Sequence, residues 1–194
     1  MQYCLFDDYS WNQLLPLTYT RSVSELRVGI TTIREKWEQQ IGKKMPILTQ
    51  AYLISDKIKE APCTYINSSI IPNPALIKRI SDNNIGEALY KGNKLIAYSA
   101  EKLLSLNEIN NPDVRIKSQW DEGIISIERP WDIFSKNDSI LKSDFKQITK
   151  GRTSAPISPS NQIIGDEIFL EEGVEMEAAI INAKEGPVYL GKNS

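Results

Sequence analysis

Beyond residue 163 apolar side chains return at every sixth position, as Ile164, Leu170 and Met176 in one set and Ile168, Val174 and Ile180 in a second. A period of six is neither the 3.6 of a helix nor the 2 of an isolated strand. It fits a left-handed parallel β-helix, in which each flat face consumes one hexapeptide. Three faces per turn place Ile164 over Asn182. Leu190 rejoins the first set only if two residues are inserted, between Asn182 and Pro187. Two hairpins turning at Gly173 and Gly186 are the ordinary alternative. Repeats of this kind need roughly three or more units to bury a continuous core. The spacing therefore predicts opening coils only, with Ile164, Leu170 and Met176 facing inward, open strand edges, and a natural chain that continues past Ser194.

Upstream the pattern is different. Gln2 to Phe6 reads as a first strand ending at Asp7-Asp8. Thr31 to Gln40 reads as a helix with Ile33, Trp37 and Ile41 on one face, Thr31 or Thr32 as its cap and Gly42 as its end. Met45 to Leu48 is a short strand, Gln50 to Lys59 a helix with Ala51, Ile54 and Ile58 inward, and Thr64 to Ile66 a strand. Pro74 opens a helix through Ile80, and Ile85 to Tyr90 pairs with Lys94 to Tyr98 around Lys91-Gly92-Asn93. This alternation predicts an α/β fold of three layers, with a ligand site at the carboxyl ends of the strands, near Asp7, Asp8 and Asn67. Pro130 to Phe134 and Ile140 to Ile148 read as two helices, and Trp37 and Trp131 as core. The organisation expected is a domain over 1–150, a Ser/Thr/Pro-rich linker over 151–162 and the β-helical start over 163–194.

A formal charge of −2 argues against a general nucleic-acid binder. The chain has no histidine, which removes Ser-His and Cys-His nucleophiles and every His-ligated metal motif. Cys4 and Cys63 sit in apolar segments without metal-binding spacing, as buried thiols of a reducing compartment do. No basic leader followed by an apolar stretch and no run of about 18 apolar residues appears, so neither a signal peptide nor a membrane span is read, and a cytoplasmic location is expected.

The stretch after the first strand is the most specific. Leu14-Leu15-Pro16-Leu17-Thr18-Tyr19-Thr20-Arg21 is followed by Glu25-Leu26-Arg27-Val28-Gly29-Ile30 and Ile33-Arg34-Glu35-Lys36-Trp37. A compact turn beside fixed arginines suits a polyanionic phosphate ligand. With Leu5-Phe6-Asp7-Asp8, Pro130-Trp131-Asp132-Ile133-Phe134 and Asn182-Ala183-Lys184-Glu185-Gly186-Pro187, this resembles the sugar-1-phosphate nucleotidyltransferases. More specifically, it looks like a divergent bacterial branch in which a UDP-N-acetylglucosamine diphosphorylase is joined to a glucosamine-1-phosphate N-acetyltransferase. The resemblance implies a nucleotidyltransferase-like (Rossmann-like) domain, nucleotide and sugar phosphate as ligands, and Mg²⁺. It implies acetyl-CoA only for a part beyond this sequence, and a homo-oligomer, a trimer for a full-length β-helical protein.

The departures are as informative as the match. Tyr9-Ser10-Trp11 stands where the family carries Gly-x-Gly, Asn12-Gln13 replaces the Thr-Arg of that loop, and Val23 after Ser22 holds the position of the active-site lysine. Glycines there admit phosphate close to backbone N–H groups. The candidate ligand contacts are therefore Asp7, Asp8, Thr18, Arg21 and Arg27, with Asp7 or Asp8 as metal ligand. Asp7 and Asp8 read equally as braces of the loop, Arg21 and Arg27 as partners of Glu25 and Asp7, and Trp11 as a base-stacking residue or a filler of vacated space. Two functions stay open: uridylyl transfer to N-acetylglucosamine 1-phosphate, and a non-catalytic module derived from such an enzyme.

Overall fold

A computed structural model describes residues 2–54, 58 and 60–194, which divide into two compact units. The first comprises residues up to Arg27 together with Thr31–Phe134. Its chain runs β1 (Gln2–Phe6), α1 (Ser10–Gln13), α2 (Ile33–Ile41), β2 (Ile47–Leu48), β3 (Cys63–Asn67), β4 (Ile70–Ile71), α3 (Pro74–Ser81), β5 (Glu87–Lys91), β6 (Lys94–Ala100), α4 (Leu106–Asn110), β7 (Ile116–Gln119) and β8 (Ile125–Ser126). Six strands form one mixed sheet in the order β2-β1-β3-β6-β5-β7. β1 lies parallel to β2 and β3, β6 antiparallel to β3 and β5, and β7 parallel to β5.

Every residue of β3 is buried, as are Cys4, Leu5 and Phe6 of β1. Strands covered on both faces require apolar or internally bonded residues at consecutive positions. Cys4, Phe6, Cys63 and Tyr65 pack in one cluster with Ala88, Tyr98 and Ile109 of α4. Burial pushes both the Cys4 and the Cys63 thiol far upward, so they remain protonated packing groups.

The helix starts follow from local chemistry. Thr32 and Glu35 exchange side-chain and backbone hydrogen bonds at the head of α2, and Gly42 closes it in the left-handed region at φ 74°. Asn73 accepts from the Leu76 N–H at 2.9 Å and Pro74 occupies the first turn of α3. The β5–β6 hairpin turns on Gly92 (φ 59°) and Asn93, as expected. The helix expected over Gln50 to Lys59 is replaced at its start by a short 3₁₀ turn, Ala51–Leu53; Ser55, Asp56, Lys57 and Lys59 lie outside the described residues. Trp131 is not core. It is 64% exposed, with the Arg129 guanidinium 5.9 Å from the centre of its ring.

The second unit comprises Val28–Ile30 and Ser135–Ser194. The two helices expected between 130 and 148 are one continuous helix, α5 (Pro130–Thr149). Asn137, Asp138 and Ser139 do not break it, because Asn137 spends its amide oxygen on the Gly29 N–H at 2.8 Å and Asp138 pairs with Lys142 one turn on. Gly29 has φ 74°, and a Cβ there would stand 2.5 Å from Asp144 Oδ2, so this approach to α5 admits only glycine.

Residues 151–161 contain no helix or strand. Four short strands follow, β9 (Gln162–Ile164), β10 (Ile168–Leu170), β11 (Ile180–Asn182) and β12 (Val188–Leu190). β9 pairs with β11 and β10 with β12, both in parallel, so the antiparallel-hairpin alternative is excluded. Ile164 lies opposite Asn182, and Leu170 opposite Leu190. Phe169 stacks on Tyr189, and Arg152 grips Glu171 through two hydrogen bonds of 2.8 and 2.6 Å. The shared inward stack does not form as expected: Leu170 is buried, Met176 half-buried, but Ile164 is 37% exposed. Phe169, Ile181 and Ala183 supply the buried surface instead.

Candidate functional site

The three parallel strands deliver their carboxyl ends side by side, and the residues after β1 and β3 meet there. Asp7 is 1% exposed. Its carboxylate accepts from Ser22 Oγ at 2.9 Å, from the Val23 N–H at 3.2 Å and from Thr49 Oγ1 at 2.5 Å. It thus ties the end of β1 to the turn at residues 22–25 and to the residue after β2. Burial pushes its pKa up to about 6, against the pull of the Thr49 and Ser22 hydroxyls and the Val23 N–H.

Asp8 faces the other way. Its Oδ1 accepts from the Ser10 N–H at 2.9 Å and the Ser10 hydroxyl at 2.5 Å, and its Oδ2 from Asn67 Nδ2 at 2.8 Å and from Lys94 Nζ at 3.1 Å. Burial opposes its charge, but the Lys94 ammonium, the Ser10 hydroxyl and the Asn67 amide together hold the carboxyl below its usual range. Lys94 also reaches Glu128 at 3.1 Å and lies 5.0 Å from the centre of the Tyr9 ring, whose hydroxyl donates to Glu128 at 3.0 Å. Although burial works against a buried ammonium, Asp8 and then Glu128 raise the Lys94 pKa above its ordinary value.

Lys94, Glu128 and Tyr9 do not stand out in the sequence. The available signal is topological: β6 runs antiparallel to β3, so the first residue of the hairpin's second strand returns to the edge where β3 ends. Asn67 confirms the juxtaposition by donating to both Asp8 and Leu95 O, at 2.8 and 2.9 Å. The strand pattern alone is enough to put Asn67 at this edge.

Thr18 is fully buried and donates to Trp11 O at 2.7 Å, closing the loop on itself. Trp11 is 8% exposed, its indole N–H without a protein partner among the described residues. Arg21 and Arg27 are exposed. Glu25 pairs with Arg34 at 3.1 Å, and Asp7 accepts from Ser22, Val23 and Thr49. Tyr19 and Tyr52 are exposed and joined, the Tyr52 hydroxyl donating to Tyr19 O at 2.9 Å. A cavity of about 330 Å³ opens elsewhere in this unit, over Tyr98, Ala100, Leu104 and Arg115. Ile85 and Gly86, just before β5, and the end of β6 line it, at the sheet edge opposite to Asp8.

The model of one family, described as sugar nucleotidyl transferase, matches residues 3–153. The chain belongs to the sugar nucleotidyl transferase family. No curated protein matches it. Sugar nucleotidyl transferases generally use Mg²⁺, an ion held by one or two carboxylates plus substrate phosphates. The donor set here does not suit that ion as it stands. The Asp7 carboxylate is sealed behind three protein donors, Asp8 is engaged by an ammonium, an amide and a serine, and no cluster of three or more acidic or thiol ligands exists among the described residues. No helix of the sugar nucleotidyl transferase chain is long and apolar enough to cross a membrane among the described residues.

Proposed function

We propose that this domain transfers uridylyl from UTP to N-acetylglucosamine 1-phosphate, giving UDP-N-acetylglucosamine and pyrophosphate. Family membership over residues 3–153 is the observation that carries this reading. An oxygen of the sugar phosphate attacks the α-phosphorus, the bond from that phosphorus to the bridging oxygen of the β-phosphate breaks, and pyrophosphate departs. The nucleophile belongs to the substrate, so a chain without histidine is sufficient. Arg21 and Arg27 are the cations for the triphosphate, with Asp8 and Asn67 at the edge that receives the ligand. Titration calorimetry with UTP and with UDP-N-acetylglucosamine, beside an assay of pyrophosphate release, tests it; binding with release is expected, and absence of both refutes it.

A second reading has its own observation. Trp11 fills the position of a family glycine and is buried there, as in a domain that keeps the scaffold and has given up the phosphate loop. Binding of UDP-N-acetylglucosamine without pyrophosphate release would favour this ligand-sensing module. The parallel pairings eighteen and twenty residues apart support a third element of the proposal, that residues 163–194 open a left-handed β-helix joined to the 1–150 domain through 151–162. Acetyl-CoA and trimer formation would then belong to the further coils of a longer protein. The two free, buried thiols accord with a cytoplasmic setting.

A further inference from the structure

The carboxyl edge of the sheet holds a cation of its own. The Lys94 side chain is one-tenth exposed, and its ammonium stands 3.1 Å from Asp8 Oδ2 and 3.1 Å from Glu128 Oε1. These carboxylates come from opposite ends of the first unit's chain and converge on one point. Their other oxygens are taken, Asp8 Oδ1 by Ser10 and Glu128 Oε2 by Tyr9. Two carboxylates drawn from separate elements onto one centre repel each other unless a positive charge lies between them. A hydrated divalent ion could supply that charge, and so can a tethered ammonium, which loses no translational freedom on arrival.

We propose that Lys94 is the resident counter-ion of the Asp8–Glu128 pair and occupies the centre that a divalent metal would otherwise take. The protein thereby keeps Mg²⁺ out of this pair, whichever nucleotide or sugar the domain accepts. The three groups sum to one negative charge, so phosphate is met from other directions, by Arg21 on the neighbouring loop. The misfit between the donor set and a metal is then a consequence of one residue.

The test is titration with Mn²⁺ alone, followed by paramagnetic resonance of the free ion and by thermal unfolding. Lys94→Met keeps the length of the stem and removes the charge; it should bind Mn²⁺ at least about tenfold more tightly than the native chain and gain thermal stability from it. Adding Glu128→Gln to Lys94→Met should abolish the gain, and Lys94→Arg should show none. A folded Lys94→Met that binds no more Mn²⁺ than the native protein overturns the proposal. Should Lys94→Met fail to fold, the native chain still decides. A Mn²⁺ site there that disappears in Asp8→Asn means that metal and Lys94 coexist, which overturns it equally; no such site upholds it. None of these readouts involves nucleotide, so failure here is distinct from failure of the transferase reading.

Discussion

Leu170 lies directly opposite Leu190 across a parallel strand pair, twenty residues along the chain. The neighbouring pair, Ile164 and Asn182, is separated by eighteen, so two additional residues are absorbed between the end of β11 and the start of β12. Lys184 and Glu185 are exposed within that stretch. Strand side chains alternate with a period of two, so losing one residue turns β12 over while losing two preserves its faces. Deleting Glu185 alone should remove the Phe169–Tyr189 stack and lower the unfolding temperature of the second unit more than deleting Lys184 and Glu185 together. Calorimetric scans of the two variants check the order, and equal losses would contradict it.

Arg21→Ala and Arg27→Ala should each weaken UTP binding roughly tenfold, since a charge-assisted contact contributes about 1.5–3 kcal/mol. Calorimetry at fixed ionic strength measures this. Unchanged affinity in both variants would remove the proposed phosphate contacts.

Asp7 predicts a pH dependence of definite sign. Its folded pKa, pushed up to about 6 by burial, exceeds the unfolded value of 3.8, so the native state holds the proton more tightly. The stability contributed is complete below about pH 4 and is lost as pH rises through 6, by roughly 3 kcal/mol. Asp7→Asn should flatten that decline between pH 4 and 7 in urea titrations. A variant that loses stability with pH as steeply as the native chain would assign the effect to another group.

Gly29→Ala should destabilise the second unit by about 1–3 kcal/mol, since a positive φ and a clash with Asp144 act together. Gly42 shares the φ of 74°, but a Cβ added there would meet no atom within 4 Å. Gly42→Ala should cost about 1 kcal/mol, and denaturant midpoints of the pair separate the backbone term from the steric one.

Where the sequence was legible, a single short-range rule governed the outcome. Thr32 and Gly42 delimited α2, Gly92-Asn93 placed the hairpin, and the interval from Ile164 to Asn182 anticipated the register of β9 on β11. Where it was not, distant residues intervened. Asn137 to Ser139 look like a helix break until Gly29 claims the Asn137 side chain, and Trp131 looks apolar until Arg129 covers its ring in solvent. Asp8 was placed at the right edge, but its partner Lys94 lies eighty-six residues away and is identified by strand direction, which no local pattern encodes.

Asn67 joins three strands through one amide group. Its nitrogen reaches Asp8 beyond β1 and Leu95 in β6, while its oxygen accepts from the Ser69 N–H and hydroxyl just past β3. A carboxylate at this position would lose the two donors, and a shorter side chain would lose the span. The amide therefore acts as a gauge block: the distance between the loop after β1 and the start of β6 is set by the length of one asparagine, and neither edge can drift without the other following.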